Sequence, residues 1–502
     1  MKRLSGTDSL FLSMETPSWH QHVGGLTVLE PGPRGLSYAD ILASVEQRIG
    51  YAPKFTWKLA STPLGLDRPV WVDDPDFDAR QHVHRIGVPS PGGAKEVGEV
   101  CGMLLSSQLD RSRPLWEIWV LEGLAGGRTG ILMKYHHCLL DGLAGAGLAT
   151  ALLDLEPDAD GPLVPFPSAE ESTAGDVDPL DLLGGIASRW VTAPLSYGRY
   201  GVGLAAKGAT MLARMVRDDS TRTVLRGPRT SLNEAVGHRR QLAFASVAMA
   251  DVRRLKDAHG VKVNDVVLAL CGTALRGYLA ERGELPDAPL TSGVPLSTRA
   301  DGDDTLDNQL STMFVSLATD LDDPVERLRA IHASSVGAKD LAQATGATRV
   351  ESLGKVAAPL LVSSAVKALY ATSLMSKGPF CVNTLVSNVP GPPVDLYMCG
   401  AKVTGIYPSS VILEGMGTNF TVLSNMDRLD FGLHVDPDLV PDAWAIADAI
   451  PRALTELFEA SGLGTPTPVA DPFALPEPPA GPRVPTVTIP APAQARASKA
   501  GA

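Results

Sequence analysis

Thr129-Gly130-Ile131-Leu132-Met133-Lys134-Tyr135-His136-His137-Cys138-Leu139-Leu140-Asp141-Gly142 is the stretch on which the fold and the chemistry turn. Thr129 to His137 reads as a β-run, and Leu143 to Leu153 beyond it is small and apolar enough for a buried helix. Junctions of this kind expose catalytic groups on a rigid frame. Consecutive strand residues point to opposite faces, so His136 and His137 do not ligate one metal comfortably. Apart from Asp141 no further His or carboxylate stands at helical spacing, and neither H-E-x-x-H nor C-x-x-C occurs, so no metal is expected. One histidine can instead face a cavity as general base. Asp141 then holds the turn or pairs with a cation, and Gly142 lets a substrate approach the backbone.

Outward from this junction the pattern mixes helices and strands in one core. Leu115 to Leu121 reads as a strand joined to the motif strand by the turn Ala125-Gly126-Gly127-Arg128. Ser37 caps a run with apolar Ile41, Leu42, Val45 and Ile49, and Lys95 to Leu105 forms a second helix. Such mixing predicts an α/β sandwich rather than a bundle or barrel. Pro157 to Pro179 has the composition of an exposed connector. A second mixed region follows. Met249 to Gly260, Val263 to Glu281 and Val325 to Val336 onward read as helices, and Ser311 to Leu317, Cys381 to Val389, Lys402 to Tyr407, Phe420 to Asn425 and Asp430 to Val435 as strands. Pro441 to Ala460 closes as a helix that Pro451 kinks or splits. From Pro466 onward ten prolines fall in 37 residues, which predicts a disordered tail. The expected division is 1–176, a linking helical segment 177–230, a second domain 231–464, and a tail 465–502.

With 44 Lys and Arg against 56 Asp and Glu, the net charge of −12 argues against a nucleic-acid partner. The five cysteines are scattered without paired spacing, which fits a reducing cytoplasm. The N-terminus lacks the apolar core of a signal peptide, and no run approaches the ~20 apolar residues of a spanning helix. The acidity is uneven. Leu182 to Arg217 holds no acid but carries Arg189, Arg199, Lys207, Arg214 and Arg217 among apolar residues. It reads either as a basic segment lying on anionic lipid or as a linking helix with a solvated basic face. Gly354 to Phe380 is similarly acid-free, with Lys355, Lys367 and Lys377. No G-x-S-x-G elbow and no phosphate-binding loop occurs, and nothing in the sequence marks Cys138 as a thiolate.

His136-His137-x-x-x-Asp141-Gly142 resembles the active-site motif of the CoA-dependent acyltransferase superfamily. Further segments resemble one branch of it, the bacterial wax ester synthase/diacylglycerol acyltransferases. These are Leu4-Ser5-Gly6-Thr7-Asp8, Glu15-Thr16-Pro17, His22-Val23-Gly24, Pro114-Leu115-Trp116-Glu117, Asn264-Asp265-Val266-Val267-Leu268-Ala269 and Ser387-Asn388-Val389-Pro390-Gly391-Pro392. The resemblance implies an α/β (α+β) architecture of two chloramphenicol acetyltransferase-like domains with a substrate tunnel at their interface. It implies transfer of a long-chain acyl group from acyl-CoA to diacylglycerol, giving triacylglycerol, and also to long-chain alcohols, giving wax esters. Acyl-CoA is then a substrate and no cofactor is expected. His137 would be the base, with His136 beside it in the motif and Asp141 a structural aspartate whose partner is Arg299. Pro114, Leu115 and Trp116 shape the tunnel wall or pack in the core. Asn264, followed by Asp265, is a candidate donor to the thioester oxygen or a cap of the helix it precedes. Two alternatives stand beside this reading: an acyltransferase using a carrier-protein-bound acyl group, and a non-catalytic lipid-surface protein. The expected location is cytoplasmic, peripheral to the inner membrane face or lipid droplets.

Overall fold

The computed structural model describes residues 2–32, 34–62, 67–139, 152–157, 227–297, 310–344 and 381–474, with 363, 364, 368 and 377. In chain order the first half contains β1 (Lys2–Arg3), α1 (Gly6–Met14), β2 (His22–Glu30), α2 (Tyr38–Arg48), β3 (Trp57–Ala60), β4 (Val70–Asp73), β5 (Val83–Gly87), α3 (Ala94–Leu105), β6 (Trp116–Glu122) and β7 (Thr129–His136). The second half contains β8 (Gln241–Ala248), α4 (Met249–His259), α5 (Val263–Glu281), β9 (Thr291–Ser297), β10 (Leu310–Ser316) and α6 (Pro324–Ala344). It continues through β11 (Thr384–Val389), β12 (Tyr397–Met398), β13 (Ala401–Ser409), β14 (Thr418–Asn425), β15 (Arg428–Val435) and α7 (Ala443–Ala460).

Local chemistry accounts for most of these boundaries. Ser37 accepts the Asp40 amide while the Asp40 carboxylate takes the Ser37 amide, so a reciprocal capping box starts α2. Ile41 and Val45, one helical turn apart, are its fully buried face. In α7, Pro451 lies inside the helix without ending it, so of the two expected outcomes, a kink or a split, the split does not occur. The heptad-like run of Ile446, Ile450, Leu454 and Leu457 is buried along the whole length, and this packing holds the helix through the lost hydrogen bond.

Strands of the described residues form a small sheet (β1-β4-β3) and two six-stranded sheets, β12-β13-β2-β7-β6-β5 and β10-β9-β11-β14-β15-β8. The first large sheet takes two of its strands from late in the chain: β13 pairs antiparallel with β2, Tyr407 opposite Leu26. One face of this sheet, with Leu26, Val28 and Leu132, joins the core shared with α3, α5, α7 and the second large sheet. Its other face packs Trp116, Ile118, Ile131 and Tyr135 against α1 and α2.

The two large sheets meet at close range, directly and through α3. A Cβ on Gly98 of α3 would stand 2.4 Å from the Leu242 carbonyl of β8, and one on Gly432 of β15 would stand 1.7 Å from the Pro408 carbonyl of β13, so only glycine lets these backbones approach. A buried polar group ties the crossing. Arg428 donates to Asp430 Oδ1 (3.0 Å), Ser246 Oγ (2.7 Å), the Tyr407 hydroxyl (3.2 Å) and the Ala470 carbonyl (2.8 Å). Asp430 Oδ2 accepts the Ile406 amide at 2.9 Å.

That last contact to Ala470 corrects the expected start of the tail. Residues 466–474 run along the second half rather than coming free at Pro466, and Phe473 is buried against Phe244 (ring centroids 5.0 Å) and Tyr407 (5.4 Å). One aromatic anchor overrides a proline-rich composition. The segments 182–217 and 475–502, and nearly all of 354–380, lie outside the described residues.

Candidate active site

The motif strand β7 sits between β2 and β6, which positions both histidines from two sides. His136 stands opposite His22 on β2, and its amide donates to the Leu115 carbonyl at 3.0 Å. One residue on, the His137 amide donates to the Gln21 carbonyl at 2.8 Å. The two side chains go separate ways, as alternation along a strand demands.

His136 is buried among charged groups. Its Nδ1 accepts the Cys138 amide at 3.1 Å, so the neutral ring carries its proton on Nε2, which faces Glu15 Oε2 at 3.6 Å. Glu15, at the C-terminal cap of α1, also lies 3.4 Å from His22 Nε2 and accepts Arg111 Nε at 3.1 Å. Arg111 donates further to the Leu12 carbonyl. Burial alone would raise the Glu15 carboxyl, but the contacts with His136 and His22 and the charge of Arg111 outweigh it and hold the group far below the usual carboxylate range. Burial drives His22 down to about 3 and lowers His136 as well, so both rings are neutral beside an ionised carboxylate.

His137 lies against α1, its imidazole stacked on the Phe11 ring with centroids 4.1 Å apart and planes 11° from parallel. The stack and the Gln21 carbonyl fix the residue from two directions. The neighbouring Cys138 is fully buried, and burial followed by the charge of Asp8 raises its thiol well above the ordinary range, so it is not a thiolate nucleophile.

Trp116 packs in the core of the first half, stacked on His82 (4.6 Å) with its indole donating to the Phe55 carbonyl at 2.7 Å. Leu115 is buried beside it, and its carbonyl is the one that receives His136, while the Pro114 carbonyl accepts the Trp116 amide. Asn264 does not precede a helix. It is the second residue of α5, and the capping is done by Asp265, whose Oδ2 accepts the Lys262 amide at 2.9 Å and meets His332 Nδ1 at 2.7 Å. Asp141, Gly142 and Arg299 lie outside the described residues.

The family model of the wax ester synthase/diacylglycerol acyltransferase catalytic domain matches residues 4–267, and that of the WS/DGAT C-terminal domain matches 306–458. The chain belongs to the wax ester synthase/diacylglycerol acyltransferase family. A Mycobacterium tuberculosis protein named as a diacylglycerol O-acyltransferase is 39% identical over 471 residues, 92% of this chain and 91% of the relative. The solved wax ester synthase/diacylglycerol acyltransferase of Marinobacter aquaeolei VT8 is 28% identical, with a TM-score of 0.67 over 92% of this chain and all of that one. A trichothecene 15-O-acetyltransferase of Fusarium sporotrichioides shares the fold at 12% identity, with a TM-score of 0.57 over 92% of this chain and 94% of that one.

The chain is therefore an acyltransferase, and its mixed α/β architecture is that of the family. Within this family member, the residues that sequence reasoning missed are those around the histidines: Glu15, Arg111, His22, Phe11 and Gln21. Glu15 and His22 fall in segments that carry the family resemblance, but no spacing rule joins them to Arg111 or to the motif. Among the described residues no group of three His, Cys, Asp or Glu could hold a metal ion, and no helix is long and apolar enough to cross a membrane.

Proposed function

We propose that this acyltransferase moves a long-chain acyl group from acyl-CoA to the hydroxyl of diacylglycerol, forming triacylglycerol, and more slowly to long-chain alcohols, forming wax esters. The observation that carries the reading is the division of labour between the paired histidines: His136 is committed to Glu15 and Cys138, while His137 is held by Phe11 and Gln21 one residue past the end of β7. His137 takes the proton of the acceptor hydroxyl as that oxygen attacks the thioester carbonyl. The tetrahedral intermediate collapses, the C–S bond breaks, and His137 returns the proton to the departing CoA thiolate. A positioned base of this kind contributes about 10²–10⁴ in rate, and holding donor and acceptor together adds an entropic advantage. Asp141 with Arg299 would keep the motif turn in shape, Gly142 would admit the substrate to the backbone, and Pro114, Leu115 and Trp116 would support the strand from behind.

Both acceptor classes and both products partition into lipid, so the reaction belongs at a lipid surface. The acid-free stretch Leu182 to Arg217 supports contact there. Replacing Arg189, Arg199 and Arg214 together by Gln should weaken sedimentation with anionic vesicles, and undiminished binding would remove that stretch from the reading. For the chemistry, purified protein is given labelled palmitoyl-CoA with dipalmitoylglycerol or hexadecanol in turn. Ester formation that falls about 10²-fold or more in His137→Ala supports the base; wild-type rates in that variant, or no ester from either acceptor, refute it.

A further inference from the structure

Trp19, Gln21 and His22 each bury a side-chain nitrogen or oxygen that meets no hydrogen-bond partner among the described residues. Gln21 is the extreme case. Its side chain is 0% exposed, and among the described residues both Nε2 and Oε1 are without a partner. Folded proteins rarely keep a whole carboxamide in that condition, because an unmade bond to a buried group costs more than a made one contributes. Nor does the local backbone leave Gln21 loose. Trp19 donates to Thr16 Oγ1 at 3.0 Å, Thr16 donates to the Trp19 carbonyl at 3.1 Å, and Gln108 holds the Thr16 carbonyl.

The register says where the amide stands. His22 pairs with His136 across β2 and β7, so one residue beyond, Gln21 stands opposite His137, and its own carbonyl accepts the His137 amide. Laterally paired residues of an antiparallel ladder project from the same face with Cβ atoms about 4.5–5.5 Å apart. The Gln21 side chain therefore leaves the backbone on the same side of the sheet as His137, next to the residue assigned as the base.

We propose that Gln21 is the acceptor-specificity residue: its carboxamide hydrogen-bonds a polar group flanking the reacting hydroxyl, which selects an ester-bearing glyceride over a simple long-chain alcohol. In 1,2-diacylglycerol an ester lies on the carbon next to the hydroxyl-bearing one, and its carbonyl oxygen accepts from Nε2. A long-chain alcohol offers only methylenes there and leaves the amide unpaired, which is how a site built to hydrogen-bond one substrate rejects an analogue lacking the group. This rests on His137 as the base.

The test is Gln21→Met, which keeps the volume and removes both polar atoms, assayed in the full chain with palmitoyl-CoA against dipalmitoylglycerol and hexadecanol. The expected result is a loss of roughly tenfold or more in kcat/KM for the glyceride and a change under about threefold for the alcohol. The ratio is taken on one preparation, so the fraction of active protein cancels. Because two unpartnered atoms are removed, the variant should melt no lower than the parent. Equal losses on both acceptors would put the amide on the shared thioester carbonyl and overturn the proposal. An unchanged ratio, or a lower melting temperature with parallel losses, would overturn it too. His137→Ala run alongside separates the two readings: full activity there sinks the base, while the acceptor ratio of Gln21→Met remains readable.

Discussion

Two buried polar groups, one in each half, differ in a way that separates function from architecture. Around Arg428, each of Asp430, Ser246, Tyr407 and Asn425 has a partner, and the guanidinium alone reaches four. Around His136 and Glu15, ionised and neutral groups stand together while Gln21 and the Trp19 indole go unmatched. The first group is closed on itself and clamps a strand of one sheet to the edge of the other. Among the described residues the second is incomplete, and an unpaired buried polar group is costly in a low-dielectric interior.

That contrast can be broken in four places. The largest effect is expected at His137→Ala, where the rate should fall about 10²–10⁴-fold with the melting curve nearly unmoved. Initial rates and calorimetry on the same sample decide it. Next is Arg428→Met, which leaves Asp430 charged and buried. It should lose about 3–5 kcal/mol of stability by urea titration, with kcat per folded molecule intact. A large loss of kcat in that variant would erase the distinction between the groups.

The third place is pH. His22 in one group and His434, buried where β15 meets β13, both have pKa values depressed to about 3 by burial. Between pH 6.5 and 3 the unfolded chain takes up protons that these native rings refuse, so their stabilisation is present above pH 6.5 and drains away as pH falls. Each contributes a slope of up to about 1.4 kcal/mol per pH unit in that window. Glu15 acts in the same direction lower down, since its depressed carboxyl stabilises the fold above the unfolded pKa and stops doing so on acidification. Urea midpoints at pH 7.5, 6 and 5 should therefore fall, and His434→Gln should flatten the fall. The smallest effect is Phe11→Leu: losing a ring stack of about 0.5–1.5 kcal/mol should lower kcat about 3–10-fold and leave KM alone.

What could be read beforehand was whatever local chemistry decides. The β-run of Thr129 to His137, the Ser37 cap and the largely apolar helical run from Val263 to Glu281 each fix an element from within, and each appears within a residue or two of its expected ends. The site was legible as far as the motif is continuous in sequence. Arg111 and Glu15 lie 96 residues apart and meet only because α1 and the loop before β6 fold onto β7. Asn264 and the prolines from Pro466 onward misled for the same reason: a capping preference and a proline count are averages, and Asp265 and the aromatic pocket of Phe473 decide the particular case.

The placement of β13 beside β2 also sets the order in which this protein can be finished as it is made. Chains usually complete their N-terminal domain first, at about 5–20 residues per second. Here β2 is synthesised by residue 30, while the strand that covers its open edge ends at Ser409. The edge waits roughly 20–75 s at those rates, a row of unpaired amides and carbonyls beside a half-built core. A gene cut between the two halves would therefore yield a first half that cannot close its own sheet.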